Sequence, residues 1–156
     1  MKSSRLIAVQ RKPTALVAEQ VAPATIGAVI VVNFGSSALL EQNLARVEVP
    51  EGSFIVVVDC FSDAAERARV ASACTTHGWQ AVLLDANVGF GAGVNAGADA
   101  AAQRGATVLV TLNPDAWIAA SDLHVLIEAA RANPRALVSP HIVTGDGRPW
   151  FSGADL

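Results

Sequence analysis

The sequence predicts an α/β fold in which a mostly parallel sheet carries helices on both faces. From Ile26 onward, short β-branched runs alternate with helical segments of about 10–15 residues, which is the pattern of consecutive β-α-β units. The runs are apolar throughout rather than at every second position, as expected for strands that are covered on both sides. The length of 156 residues and the apolar content of 52 % suit one domain with a single core.

The elements have recognisable boundaries. The predicted strands are 26–32, 53–58, 79–84, 107–112 and one that starts at 137–140, and the predicted helices are 38–47, 64–77, 94–104 and 123–133. Small polar residues precede three helices and can accept hydrogen bonds from the free N–H groups of the first turn. These candidate caps are Ser36 or Ser37, Ser62 or Asp63, and Ser121 with Asp122. Gly78 and Gly105 are predicted to end two helices, and 144–148 has the composition of a tight turn.

Residues 1–25 contain Pro13 and Pro23 and no clear periodicity, so we expect an arm outside a domain at 26–156. The apolar stretch 6–9 is shorter than the roughly 7–15 residues of a secretory signal. No apolar run reaches the roughly 18 residues that span a bilayer. The two cysteines lack a Cys-x-x-Cys spacing and are predicted to be free thiols. These features predict a cytoplasmic protein.

Polar side chains follow the carboxyl ends of four predicted strands. They are Asn33, Asp59, Asp85, Asn87, Asn113 and Asp115. Ligands of open parallel sheets bind at this edge, near the point where the strand order reverses. Any one of these residues could be polar only because loops are hydrated, but the set together predicts a binding site.

The segment 87–97 is rich in glycine and leads into a helix. Glycine lets the backbone approach a ligand closely, and a helix N-terminus attracts phosphate. Residues 91–96 also match the G-x-G-x-x-A pattern of dinucleotide-binding domains, although the match does not follow the first strand. In that alternative, Asp115 would bind ribose. A second alternative is that the glycines only let the helix pack closely on the sheet.

The segment Asn113-Pro114-Asp115 directly follows a predicted strand. A carboxylate held at a rigid strand end suits a divalent cation whose other ligands are a diphosphate and water. Pro114 stiffens the turn because it fixes φ. The alternative is that Asp115 is only a turn residue or a helix cap before residues 116–120.

Composition and motifs exclude other classes. The net charge is −3 and no run of lysine or arginine occurs, so nucleic acid is not an expected partner. The three histidines lie in no nucleophile motif such as G-x-S-x-G. A hydrolase of the serine or cysteine type is therefore not predicted.

Four segments, in this order and spacing, resemble the family 2 glycosyltransferases, which have the GT-A fold, and among them the rhamnosyltransferase-like branch. They are Val29-Ile-Val-Val-Asn33-Phe34, Val57-Val-Asp59 followed by Ser62-Asp63, Asn87-x-Gly89-Phe90-x-x-Gly93-x-Asn95, and Leu112-Asn113-Pro114-Asp115. The resemblance covers residues 26–148. It implies a Rossmann-like GT-A sandwich that binds a nucleotide-sugar.

The resemblance also implies roles for the site residues. Asn33 and Phe34 would border the base, Asp59 would accept a hydrogen bond from a base N–H, and the loop 87–95, with Asn87, Gly89, Phe90, Gly93 and Asn95, would close over the nucleotide. Asp115 would bind Mg²⁺ or Mn²⁺. Asn113 replaces the first carboxylate of the family's D-x-D triplet and would face ribose, so weaker metal binding is expected.

The complete enzyme would transfer a sugar from a UDP- or dTDP-sugar, with inversion, to a polysaccharide or lipid-linked acceptor. Such work in cell-wall or polysaccharide biosynthesis would place it at the inner face of the membrane. In the family, the acceptor half with its general base follows the turn around Asp146, so we expect this chain to carry the donor half and leave the base unassigned. Trp150 and Phe151 are a possible homodimer contact. A dinucleotide-binding Rossmann domain and a catalytically inactive GT-A-like module are the alternatives.

Overall fold

A computed structural model of the protein describes residues 26–151 and contains a four-stranded parallel sheet. Its strands are β1 (Gly27–Asn33), β2 (Phe54–Asp59), β3 (Gln80–Leu83) and β4 (Val108–Thr111), and its helices are α1 (Ser37–Leu44), α2 (Ala64–His77), α3 (Phe90–Gln103) and α4 (Ala120–Ala132). An antiparallel pair, β5 (Ile142–Val143) and β6 (Pro149–Phe151), follows. The predicted α/β class is confirmed. The predicted arm at 1–25 lies outside the described residues.

The strand order in the sheet is β3-β2-β1-β4. The chain steps in one direction through β1, β2 and β3 and then returns to the other side of β1. Because β-α-β crossovers are right-handed, this reversal places α3 on the opposite face from α1 and α2. The reversal also makes the carboxyl ends of β1 and β4 the switch point, where ligands of such sheets bind.

Two apolar clusters lie on the two faces of the sheet. One contains Val29 and Val31 of β1 with Leu40 of α1, Val70 of α2 and Leu123 of α4, among others. The other packs the alternate side chains of the same strands against α3. Every residue of β1 is buried, as the unbroken apolar run predicts. The prediction of helices on both faces is therefore confirmed.

Helix α3 begins at Phe90, four residues before the predicted start, so much of the glycine-rich segment is helical rather than a loop. Gly97 and Gly93 face the sheet. A Cβ atom added to Gly97 would lie 2.5 Å from Ile30 Cγ2, and one added to Gly93 would lie 2.9 Å from Val32 Cγ1. These two glycines therefore permit the close approach of α3 to β1, as one of the sequence alternatives proposed.

The helix caps agree with the sequence in part. Asp63 accepts a hydrogen bond from the Glu66 backbone N–H at 2.8 Å, and Gly78 ends α2 with a φ of 70°. Helix α4 begins at Ala120, so the predicted caps Ser121 and Asp122 lie inside its first turn. Among residues 26–151 no side-chain cap is formed at its N-cap residue, Ala119, and the acidic Asp122 instead complements the positive end of the helix dipole.

The N-terminus of α1 is capped from another helix. Ser36 precedes the helix but makes no side-chain cap. The buried carboxylate of Glu66 in α2 accepts from the Ser37 N–H at 2.5 Å and from its hydroxyl at 2.7 Å, and Arg69 donates to the same carboxylate at 2.7 Å. The prediction that a local serine accepts from the first turn is therefore wrong, because a carboxylate distant in sequence takes that place.

The predicted fifth strand at 137–140 is absent from the described part of the chain. Its apolar run is short, Leu137 is fully exposed and Val138 is only half-buried, so little apolar burial favours a strand there. The predicted tight turn is present: Gly147 N–H donates to the Thr144 carbonyl at 2.8 Å, and β5 and β6 pair across this turn. Within residues 26–151, no helix is long and apolar enough to cross a membrane.

Candidate functional site

Asn33 and Asp59 end the neighbouring strands β1 and β2 and are register partners. The Asn33 amide nitrogen donates to Asp59 Oδ1 at 3.3 Å, and both side chains are fully buried. The backbones are joined as well, because Cys60 N–H donates to the Asn33 carbonyl at 2.9 Å. Two residues that the sequence proposed for base recognition therefore form one buried polar pair.

The side-chain oxygen of Asn33 has no hydrogen-bond partner among the described residues. Leaving a buried acceptor unpaired costs about 1–3 kcal/mol, and native proteins do so rarely. The Ser62 hydroxyl, close to Gly35 at the same edge of the sheet, is also unpaired within residues 26–151. Unsatisfied polar atoms therefore mark the carboxyl ends of β1 and β2 as a place where a polar ligand would gain hydrogen bonds.

Asp59 has a second partner that the sequence analysis missed. Arg67 Nε of α2 lies 3.2 Å from Asp59 Oδ2, and the same guanidinium donates to the Leu84 carbonyl at the end of β3. The ring of Phe61 lies 4.5 Å from the guanidinium carbon. Arg67 follows Asp59 by eight residues within a helical pattern, so only the packing of α2 on the sheet reveals the contact. In this arrangement Asp59 binds protein groups on both oxygens.

The segment after β3 forms a short turn into α3. Asn87 Oδ1 accepts from the Gly89 N–H at 2.9 Å, and Gly89 has a φ of 81°, a conformation that favours glycine. Phe90 follows with 56 % of its surface exposed.

Burial raises the pKa of the Cys60 thiol, which lies against Gly93 beneath this turn. The thiol is therefore a neutral packing group under the loop.

The remaining predicted residues lie on the surface near the same edge. Phe34, just after β1, is 53 % exposed, and Asn95 is exposed on α3. Exposed aromatic rings at both Phe34 and Phe90 are available to contact a planar ligand. Within residues 26–151, no side-chain hydrogen bond links Phe34, Phe90 or Asn95 to the side chains of Asn33 and Asp59.

The segment Asn113-Pro114-Asp115 follows β4 on the other side of the switch point. Ala116 N–H donates to the Asn113 carbonyl at 3.1 Å, and the Asn43 side chain of α1 donates to the Pro114 carbonyl at 3.1 Å. The side chain of Asp115 is exposed. Because the next helix begins at Ala120, Asp115 does not cap it. Asp115 is a turn residue, as the alternative interpretation of this segment also allows.

The described residues contain no group of three or more His, Cys, Asp or Glu side chains that could hold a metal ion by themselves. Asp115 is a single exposed carboxylate beside the neutral Asn113. A divalent cation at this position would need a diphosphate and water as further ligands. These side chains therefore suit a metal ion that binds together with a diphosphate rather than one that the protein binds by itself.

The dinucleotide alternative does not fit this geometry. That fingerprint needs its first glycine in the tight turn between strand and helix. Gly91 instead lies within the first turn of α3, and α3 follows β3, the edge strand opposite the switch point.

The chain is therefore an α/β protein with a candidate ligand-binding edge at the carboxyl ends of its parallel strands. The family model for glycosyl transferase family 2 matches residues 28–154. The chain therefore belongs to glycosyl transferase family 2, and its sheet and helices are those of the GT-A fold. No curated protein matches the sequence significantly.

Solved structures of similar fold include S. aureus TarS 1–349, with 18 % identity and a TM-score of 0.51, which covers 80 % of this chain and 43 % of that one. TarS 1–349 in complex with UDP-GlcNAc matches with 19 % identity and a TM-score of 0.51 over 69 % of this chain and 32 % of that one. The mannosyltransferase PcManGT from Pyrobaculum calidifontis, in complex with GDP-Man and Mn²⁺, matches with 25 % identity and a TM-score of 0.45 over 58 % and 28 %. The chain spans less than half of the length of each of these structures.

Proposed function

We propose that this chain is the nucleotide-sugar-binding domain of a glycosyltransferase and that it takes a UDP- or dTDP-sugar. The observation that carries this proposal is the buried pair of Asn33 and Asp59 at the carboxyl ends of β1 and β2, beside the switch point, with one acceptor oxygen unpaired. Uracil and thymine each present one N–H donor between two carbonyl acceptors. The unpaired side-chain oxygen of Asn33 could accept from that N–H, and the Asn33 amide nitrogen could donate to a neighbouring carbonyl.

Base binding at this pair requires the covering side chains to move, because neither Asn33 nor Asp59 has exposed surface. Phe34 and the Asn87–Asn95 segment are the elements that would border the nucleotide. Gly89 and Gly93 belong to this segment, and the N-terminus of α3 would face a phosphate with free N–H groups. Asn95, one turn further along α3, would lie beside the nucleotide.

Asp115 would hold the divalent cation, Mg²⁺ or Mn²⁺, with the diphosphate completing the site, and Asn113 would contact ribose. When bound, such a cation supplies positive charge against the departing diphosphate. The Asn43 side chain donates to the Pro114 carbonyl and fixes the turn of Asp115 at the end of β4, where the diphosphate would bind. Because the protein supplies only one carboxylate, the diphosphate must provide further ligands, and the affinity for the metal should depend strongly on bound nucleotide.

In the whole protein, an in-line displacement with inversion would transfer the sugar to a polysaccharide or lipid-linked acceptor. A base must reach the acceptor hydroxyl within about 2.6–3.2 Å. We assign no residue of this chain to that step. The rhamnosyltransferase-like pattern supports a deoxysugar donor, and a lipid-linked acceptor would place the enzyme in the cytoplasm at the inner face of the membrane.

Nucleotide binding is the first test. UDP or dTDP at about 100 times its dissociation constant should stabilise the protein by about 2.7 kcal/mol, which is about 5–11 °C in melting temperature. Thermal melting with UDP, dTDP, GDP and NAD, each with and without Mn²⁺, measures this. A larger shift with NAD than with either pyrimidine nucleotide would contradict the proposal.

Replacing Asp115 by alanine should abolish the gain in UDP affinity that Mn²⁺ provides. Metal-free UDP affinity should stay within about twofold, and the free energy of unfolding within about 0.5 kcal/mol, because Asp115 is an exposed turn residue. Calorimetric titration of UDP with and without Mn²⁺ measures the effect, and Asp99→Ala, at an exposed position of α3, is the control. Retention of the full Mn²⁺ effect by Asp115→Ala would remove Asp115 from the metal site.

A further inference from the structure

Three nitrogen atoms of one guanidinium reach three different parts of the sheet edge. Arg67 Nε pairs with the buried Asp59 carboxylate at 3.2 Å, Nη2 donates to the Leu84 carbonyl, and Nη1 lies 3.8 Å from Asp85 Oδ1. Asp85 is fully exposed, so its contribution is small. The contacts that matter join the end of β2 to the end of β3.

Both backbone polar groups of Leu84 make hydrogen bonds at the end of the sheet. Its N–H donates to the Asp59 carbonyl at 3.0 Å, and its carbonyl accepts from Arg67. Asp85 follows directly and begins the turn that Asn87 and Gly89 complete. Arg67 therefore sets the position from which the whole turn leaves the sheet.

The arginine itself is firmly placed. Its backbone N–H donates to the Asp63 carbonyl at 3.1 Å in the capped first turn of α2, and its side chain lies over the ring of Phe61. Only 24 % of the side chain is exposed. A planar guanidinium with donors in fixed directions can bond two acceptors at once, whereas a lysine ammonium is a single flexible point charge.

We propose that Arg67 is a positioning residue of the donor site, which aligns the Asp59 carboxylate and the Asp85–Gly89 turn for the nucleotide. This inference rests on the proposed function, because it assumes that the nucleotide binds between these two elements. Arg67 acts through Asp59 and Leu84 and does not contact the nucleotide.

The test compares Arg67→Lys with Arg104→Lys. Arg104 makes similar contacts at the opposite end of the sheet: its guanidinium lies 4.0 Å over the ring of Phe54, and it donates to Gln80 at 3.1 Å. Each variant is titrated with UDP at a temperature at which circular dichroism shows it to be folded. We expect Arg67→Lys to weaken UDP binding tenfold or more and Arg104→Lys to change it less than twofold.

Two further readouts separate positioning from general stability. Amide hydrogen exchange of residues 85–90 in the free protein should become faster in Arg67→Lys, while exchange in β1 stays as in the wild type. In an Asp59→Asn background, the effect of Arg67→Lys on UDP affinity should shrink at least threefold, because the residue through which it acts has lost its charge.

The outcomes distinguish the two proposals. A wild-type protein that binds neither UDP, dTDP nor GDP would contradict the proposed function and, with it, a role of Arg67 in donor binding. A wild-type protein that binds UDP while Arg67→Lys binds it equally well would contradict the Arg67 inference alone. Equal weakening by Arg104→Lys would show that the loss is not specific to this edge and would also overturn the inference.

Discussion

Replacing Glu66 by alanine should lower the free energy of unfolding by about 1–3 kcal/mol, the range for leaving a buried hydrogen-bond donor without its acceptor. The carboxylate is buried and accepts from the N–H and hydroxyl of Ser37 and from Arg69. Its loss leaves the buried Ser37 without these acceptors and the first turn of α1 without a cap. Urea unfolding measures the change, and the exposed Glu51→Ala is the control, with an expected change below about 0.5 kcal/mol.

The contribution of Glu66 should also depend on pH. Burial raises the pKa of Glu66, but the hydrogen bonds from Ser37 and Arg69 outweigh burial and hold the pKa below its ordinary value of 4.5. Since folding lowers this pKa, the stabilisation is complete well above pH 4.5 and is lost as the pH falls through the folded-state pKa.

Glu66→Gln tests this charge dependence with little change in shape. The difference in free energy of unfolding between the wild type and Glu66→Gln should be largest near neutral pH and should narrow in acid. A difference that is constant between about pH 3 and pH 7 would show that the hydrogen-bond geometry, rather than the charge of Glu66, stabilises α1.

Replacing Gly97 by alanine should destabilise the protein by about 1–3 kcal/mol, the usual cost of overpacking a core. The new Cβ would lie 2.5 Å from Ile30 Cγ2 and 2.9 Å from Val58 Cγ2, so α3 or the two central strands must shift. Both strand residues are buried, which leaves little room for relaxation.

Gly91→Ala in the same helix is the matched control. In the part of the chain that the structure describes, no atom apart from its own neighbours in the helix lies within 4 Å of the added Cβ. The substitution should therefore be neutral or stabilise the helix by up to about 1 kcal/mol. Urea unfolding of the two variants measures the contrast. Equal stabilities of the two variants would show that the sheet adjusts to the added methyl group and that Gly97 is not required for packing.

The strands and the edge that carries the candidate site could be predicted from the sequence because their signals are local. The apolar run that becomes β1 is buried at every position, and Asn33 and Asp59 follow their runs directly. Parallel strands of similar length then bring their carboxyl ends to one edge. The site residues also form motifs with a defined spacing, so the resemblance to glycosyltransferases can be recognised from the sequence alone.

The start of α3 could not be predicted in the same way. Glycine has low helix propensity, so the glycines at 89–97 indicate a loop when read alone. Packing of α3 against Ile30 and Val32 overrides that preference, since only glycine allows the two surfaces to approach. The prediction of a strand at 137–140 is wrong for the opposite reason: its local apolar pattern favours a strand, but tertiary packing buries little of it, with Leu137 fully exposed.

The amino-acid sequence by itself determined the order of the elements, the family and the polar edge of the sheet, because periodicity and motif spacing are properties of neighbouring residues. Only the tertiary structure decided which distant side chains meet. Glu66 caps α1 across 29 residues, and Arg67 joins Asp59 to Leu84. These contacts depend on how α2 packs against the sheet and α1, and the side-chain direction that creates them has no signature along the chain.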